Sequence, residues 1–118
     1  MTIPLKDMSN DDLDLALGPL MGWKEETVYG DVPVFVEDDG AIRRVLTWRP
    51  TTNLEHSKEV QAKAIATNAK AYAYGLTWAR YYTTDWKTMT PEKVSDLMNA
   101  TPREVAEAAY MVFKGAQT

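Results

Sequence analysis

The sequence predicts an α+β domain in which a small antiparallel sheet packs against two or three helices, and three stretches carry that prediction. Residues 32–48 alternate with a period of two around Asp39-Gly40, which reads as a hairpin. The segment Thr101–Lys114 has the capping signature and the apolar spacing of a core helix. The third stretch is a shorter helix announced by Ser9 ahead of Leu13, Ala16, Leu17 and Leu20. At 118 residues, with no linker-like tract and no internal repeat, the chain reads as one domain over residues 1–118.

In order along the chain, Ser9 is placed as the N-cap of the first helix, with Asp11 and Asp12 in its positive first turn. Gly18 and Pro19 are expected to stop or kink it, and Met21-Gly22-Trp23 to turn a tryptophan under the domain. Val32, Val34 and Val36 alternate with Pro33, Phe35 and Glu37, and Ile42, Leu46 and Trp48 with Arg43, Val45 and Thr47. Asp39-Gly40 is expected to supply the positive dihedrals of a tight turn, and Pro33 assigns the first arm to a sheet edge.

Thr52-Asn53-Leu54-Glu55 reads as a capping box opening a helix at least to Ala66. Beyond it the pattern is double. Tyr72, Ala73 and Leu76 fit a helical face, whereas Tyr72, Tyr74, Leu76, Trp78, Arg80 and Tyr82 alternate as a strand would. Gly75 costs about 1 kcal/mol inside a helix and aromatics favour a pleated surface, so further strands are expected within 70–86. Thr90-Pro91-Glu92 starts a short helix to about Met98. In the closing helix Thr101 and Glu104 form a capping box, and Val105, Ala108, Ala109 and Val112 face inward. Lys114-Gly115 then ends it with a cation and a left-handed stop.

Composition narrows function by exclusion. The chain has no cysteine and one histidine, so thiolate chemistry is excluded and a metal site is not expected. No apolar run suits a membrane span and no leader-like segment is apparent, so a cytoplasmic location is expected. Phosphate loops and nucleophile elbows are absent, so neither an enzyme nor a cofactor is expected. Charge is segregated: residues 1–40 carry ten acids against Lys6 and Lys24, net −8, while residues 41–90 carry eight basic and three acidic groups, net +5. Such segregation serves either internal neutralisation or separate partner surfaces.

Two candidate surfaces follow. Asp11, Asp12 and Asp14, with Glu37, Asp38 and Asp39, form an acidic set suited to a basic protein partner, solubility and capping being the plainer account. Arg43, Arg44 and Arg49 beside Trp48 form a set suited to a small anionic, nucleotide-type ligand, against the plainer account of a solvated sheet face. Aromatics from Tyr72 to Trp86 can stack bases but more often build core. His56 reads as a surface histidine. The spacing of Val94, Leu97, Ala100 and Val105 approaches a helix-turn-helix. Glu104 and Glu107 offset Arg103 and Lys114 there, so direct DNA binding is not expected.

Leu13-Asp14-Leu15-Ala16-Leu17 with Met21-Gly22-Trp23-Lys24, then Trp48-Arg49-Pro50-Thr51-Thr52-Asn53, then Thr101-Pro102-Arg103-Glu104-Val105-Ala106-Glu107-Ala108-Ala109, resemble segments of the phage ABA-sandwich family. These stretches cover about a fifth of the chain, and residues 67–100 depart from the family pattern. The resemblance implies a phage-encoded accessory protein and carries over no site residue. A short acidic chain of that kind would suit an inhibitor of a host protein or defence complex in the bacterial cytoplasm.

Overall fold

Local capping fixes where the helices begin. In the computed structural model, which describes residues 4–81 and 90–116, Ser9 accepts from the Asp12 amide at 3.0 Å and opens helix α1 (Asn10–Leu20). Leu13 and Leu17, four residues apart, are fully buried, and α1 runs through Pro19 before ending. Gly18 serves packing rather than termination: a Cβ there would lie 2.3 Å from Cζ of Phe35, so only glycine lets the helix rest on that ring. Past Met21, Gly22 at φ 92° reverses the chain and delivers Trp23 into the core.

The sheet holds β1 (Lys24–Val28), β2 (Val32–Val36) and β3 (Ile42–Arg44), antiparallel in that order. β1 has no apolar alternation and is exposed along most of its length, so period counting does not find it. Its presence makes β2 the central strand, not an edge. Pro33 is tolerated because it pairs with Thr27 beyond the last β2–β3 pair, Val34 with Arg44. The β2–β3 tip forms at the expected place, with Gly40 donating to the Glu37 carbonyl, but only Gly40 has a positive φ. The second arm stops at Arg44 instead of Trp48. There a 3-10 turn over Val45–Thr47 folds Trp48 inward, and burying that ring outweighs extending an exposed edge.

Helix α2 (Leu54–Tyr81) replaces the strands expected from residue 70 onward; residues 82–86 lie outside the described residues. Tyr72, Gly75, Leu76 and Ala79 are buried at the spacing of one helical face. Gly75 is what makes the helix fit, since a Cβ there would sit 3.2 Å from the Ala108 carbonyl oxygen across the contact with α4. The cap is Asn53 rather than Thr52, accepting from the His56 amide at 3.0 Å. Asn68 is non-helical within α2 and its side chain accepts from the Ala71 amide, so it caps a second helical segment after a kink.

Helix α3 (Pro91–Leu97) is capped by Thr90, and α4 (Pro102–Ala116) by the reciprocal bonds of Thr101 and Glu104, at 3.2 and 2.8 Å. α4 continues through Gly115, which has no positive φ, so the left-handed stop expected there does not occur. Its buried face, Val105, Ala106, Ala108, Ala109, Val112 and Phe113, packs chiefly on α2 and also on α1. Glu107, 2% exposed on that face, is held by Lys6 at 3.0 Å and Arg103 at 3.1 Å. Arg80 ties α2 to both later helices through Asp96 and Glu104. The arginine and the Tyr81 hydroxyl hold the Asp96 carboxyl down at about 2.

Two of the helical glycines, Gly18 and Gly115, are expected to respond oppositely to alanine. Gly18→Ala should cost about 1–3 kcal/mol, because the Phe35 ring must move in a filled core. Gly115→Ala, where a Cβ would meet nothing within 4 Å, should be neutral or stabilise by up to about 1 kcal/mol. Urea unfolding midpoints check both, and an unperturbed Gly18→Ala protein would refute the α1–β2 contact.

Candidate functional site

Helix spacing puts Asp11, Asp14 and Leu15 on one side of α1, at i, i+3 and i+4. The 3-10 turn after β3 presents Val45 and Leu46 toward the same place, followed by Trp48 and Arg49. These seven residues line a cavity of about 150 Å³. Two members of the acidic set and two of the basic set therefore share one site. Its rim carries two leucines that water reaches freely, Leu15 at 45% and Leu46 at 67% exposure.

The polar end is internally paired. Asp14 is 2% exposed, so it is not part of an acidic surface; its carboxylate accepts from the Thr51 amide at 2.9 Å and the Thr51 hydroxyl at 3.0 Å. Burial outweighs those bonds and pushes the Asp14 carboxyl above its usual range. Arg49 donates to Asp11 at 3.0 Å and lies 3.8 Å from Asp14, bridging the acids at the cavity mouth.

The apolar end is built on Trp48. Its ring is 1% exposed, 4.8 Å from Trp23 edge to face and 5.0 Å from His56. The Arg43 guanidinium stands 4.9 Å from the Trp48 ring centre and 4.8 Å from that of Trp23. Two bonds to Glu59, at 2.8 and 2.9 Å, and one to Glu37 at 3.4 Å complete the Arg43 set. Glu59 accordingly raises the arginine further above its usual range, and Arg43 lowers the Glu59 carboxyl. His56, which the sequence suggests is a bystander, accepts from the Arg49 amide through Nδ1 at 3.1 Å and so fixes the segment carrying Arg49. The Trp48 Nε1 is buried with no acceptor among the described residues.

The remaining candidates lie elsewhere. Asp12 is exposed in the first turn of α1. Asp38 and Asp39 occupy the β2–β3 tip, where Asp39 accepts from the Ala41 amide at 2.9 Å. Arg44 is exposed on the opposite face of the sheet from Arg43. Leu15 and Leu46 were not singled out by charge or motif. Leu15 is nonetheless readable, as the one leucine of α1 that falls off the Leu13–Leu17 stripe. No group of three or more potential metal ligands occurs among the described residues. Comparison of the chain with protein-family models, curated proteins and solved structures finds no match.

Asp14 is expected to behave as a buried tie. Asp14→Ala should cost about 1–3 kcal/mol, because the Thr51 amide loses its acceptor inside the protein. A carboxyl raised by folding keeps its proton to higher pH in the folded than in the unfolded chain. Relative to Asp14→Asn, the wild type should therefore be most stable below 3.8 and lose that advantage as pH climbs through the raised folded value. Urea midpoints of both proteins from pH 3 to 7 test the sign; a wild-type advantage that grows with pH would show that Thr51 and Arg49 outweigh burial.

Proposed function

We propose that this protein is a stoichiometric binding protein that docks a protein partner by seating one apolar side chain of that partner between Leu15 and Leu46. The observation that carries this reading is the cavity itself: about 150 Å³, floored by Val45 and Trp48 and rimmed by two exposed leucines. Cavities that enclose small-molecule ligands usually run to about 300–1,000 Å³, whereas one anchoring side chain at an interface needs far less. Asp12, Asp38 and Asp39 remain exposed to steer a partner with a basic rim.

The rival reading, capture of a nucleotide-type anion, has less in its favour, since of its arginines only Arg44, on the other face of the sheet, is without an ion pair among the described residues. Arg43 is engaged by Glu59 and Glu37, Arg49 by Asp11, and the Trp48 ring faces Trp23, His56 and Arg43. A cation already paired with a carboxylate gives up that pairing before it serves a ligand. In the setting that the phage ABA-sandwich resemblance implies, the partner is a host protein or defence complex in the bacterial cytoplasm. The protein would inhibit it by occupancy, without catalysis or cofactor.

Affinity capture from bacterial lysate, followed by calorimetry with the purified partner, tests this. Leu46→Asp should weaken binding by about 100-fold, since it puts a charge where an anchor desolvates. Neutralising Asp12, Asp38 and Asp39 should slow association and flatten its salt dependence. A partner held equally by the Leu46→Asp protein would remove the cavity from the interface. Tight binding of a nucleotide that Arg43→Ala abolishes would instead establish the rival.

A further inference from the structure

Helix α2 bends where its sequence supplies none of the common breakers. Sharp kinks fall mostly at proline or at glycine and serine pairs, yet residues 63–71 read Lys-Ala-Ile-Ala-Thr-Asn-Ala-Lys-Ala, a run rich in alanine and lysine with neither glycine nor proline. Asn68 stands there in extended backbone that any residue adopts, at φ −165° and ψ 93°, and caps the segment beyond it by accepting from the Ala71 amide at 3.0 Å. Residues 65–70 are all exposed, so no core contact holds the corner. The bend is nonetheless sharp. Gln61 Nε2 donates to the Tyr72 hydroxyl across it at 2.8 Å. A straight helix would hold those two Cα atoms about 16 Å apart, beyond the reach of both side chains.

Two observations mark the straight helix as the competing state. Counted through position 68, the buried residues Ser57, Val60, Ala64, Tyr72, Gly75 and Ala79 keep one stripe, with Asn68 four residues from both Ala64 and Tyr72. Each arm of α2 also belongs to its own half of the molecule. Glu59 ties the first arm to Arg43 of the sheet, and His56 ties it to the Arg49 amide. The second arm is tied to α3 and α4 by Arg80 with Asp96 and Glu104, and by the close approach of Gly75 to Ala108. A separate set of contacts joins the halves: Lys6 to Glu107, Arg103 to Asn10 and to the Leu5 carbonyl, and α1 packed on α4. The corresponding half of a second copy satisfies that set equally well.

We infer that Asn68 is the hinge of a domain swap between two copies of this chain. In the monomer α2 is bent; in a two-fold dimer α2 is one continuous helix, and the second arm with α3 and α4 of each copy packs on the sheet, α1 and first arm of the other. The exchange loses the Asn68 cap in each chain and gains the backbone bonds of an uninterrupted helix, while the contacts between halves are kept. The cavity between Leu15 and Leu46 is lined wholly by residues 11–49, on one side of the hinge. The dimer therefore carries two intact copies of it, and the swap does not depend on what that cavity binds.

Refolding from urea at about 10 μM and at about 1 mM, followed by sedimentation velocity, tests the inference, because a second copy competes with closure within one chain only near millimolar concentration. The wild type should refold to 13.3 kDa when dilute and partly to twice that mass when concentrated. Asn68→Ala deletes the cap and favours a continuous helix, so it should raise the dimer association constant by about tenfold or more, two hinges changing per dimer. Ala69→Pro should abolish the dimer. Proline suits the first position after a cap and an extended residue before it, but it interrupts a continuous helix. Circular dichroism of the dilute variants checks that these exposed changes leave the monomer folded. In a dimer refolded from mixed isotope-labelled and unlabelled chains, nuclear Overhauser contacts between α1 and α4 should run from one chain to the other. A wild type and an Asn68→Ala protein that both stay at 13.3 kDa overturn the inference. So does a dimer that Ala69→Pro preserves, or one whose α1–α4 contacts remain within each chain.

Discussion

The Arg43 guanidinium is the joint on which the molecule turns. It lies against the rings of Trp23 and Trp48, and it is held edge-on by Glu59 from α2 and Glu37 from the end of β2. Four parts of the chain meet at that one cation: the turn after α1, the sheet, the segment after β3 and the long helix. A flat cation suits the place because it can stack and donate a bidentate pair of hydrogen bonds at once, which an ammonium does not. The sheet touches the helices mainly through α1, and Arg43 gives it a second attachment, to α2, through paired charge.

That attachment explains which parts of the structure the sequence reveals. Features settled within four residues are legible: the Ser9 and Thr90 caps, the reciprocal Thr101–Glu104 bonds and the β2–β3 tip. Features settled by distant packing are not. The run Tyr72–Tyr81 satisfies two periods equally, and what selects the helix is the approach of Ala108 to Gly75, a contact between residues 33 apart. β1 is invisible for the opposite reason. Its Lys-Glu-Glu-Thr-Val sequence has no preference worth reading, and it becomes a strand because β2 offers it a partner.

The candidate site was half legible. Acidic and basic residues are evident as two sets, and the sequence offers internal neutralisation as one outcome of their segregation. The structure shows that outcome at Arg49–Asp11 and Arg43–Glu37, pairs that join the acidic first third to the basic middle. What the sequence does not convey is that the pairing leaves an apolar opening beside it. Asp14 meets Thr51 across 37 positions, and only that closure sets Leu15 opposite Leu46. Neither leucine belongs to a motif, so the signal for the opening is negative: leucines that the inward stripe does not need.

Arg43 and Arg44 show how two adjacent, chemically identical side chains come to do different work. The pleat sends them to opposite faces, so one enters a stack of tryptophans and carboxylates while the other meets water beside Ile42. The cavity that Trp48 floors and the valine face that Arg44 borders are thus separated by the thickness of a single strand. A slip of one residue in the β2–β3 register would either exchange the two arginines or send Phe35 outward, away from Gly18. Three independent fits therefore pin the register: a ring against a glycine, a guanidinium against two indoles, and a glycine-terminated turn of fixed length. Because all three must hold together, both faces of the sheet are specified by the same short hairpin.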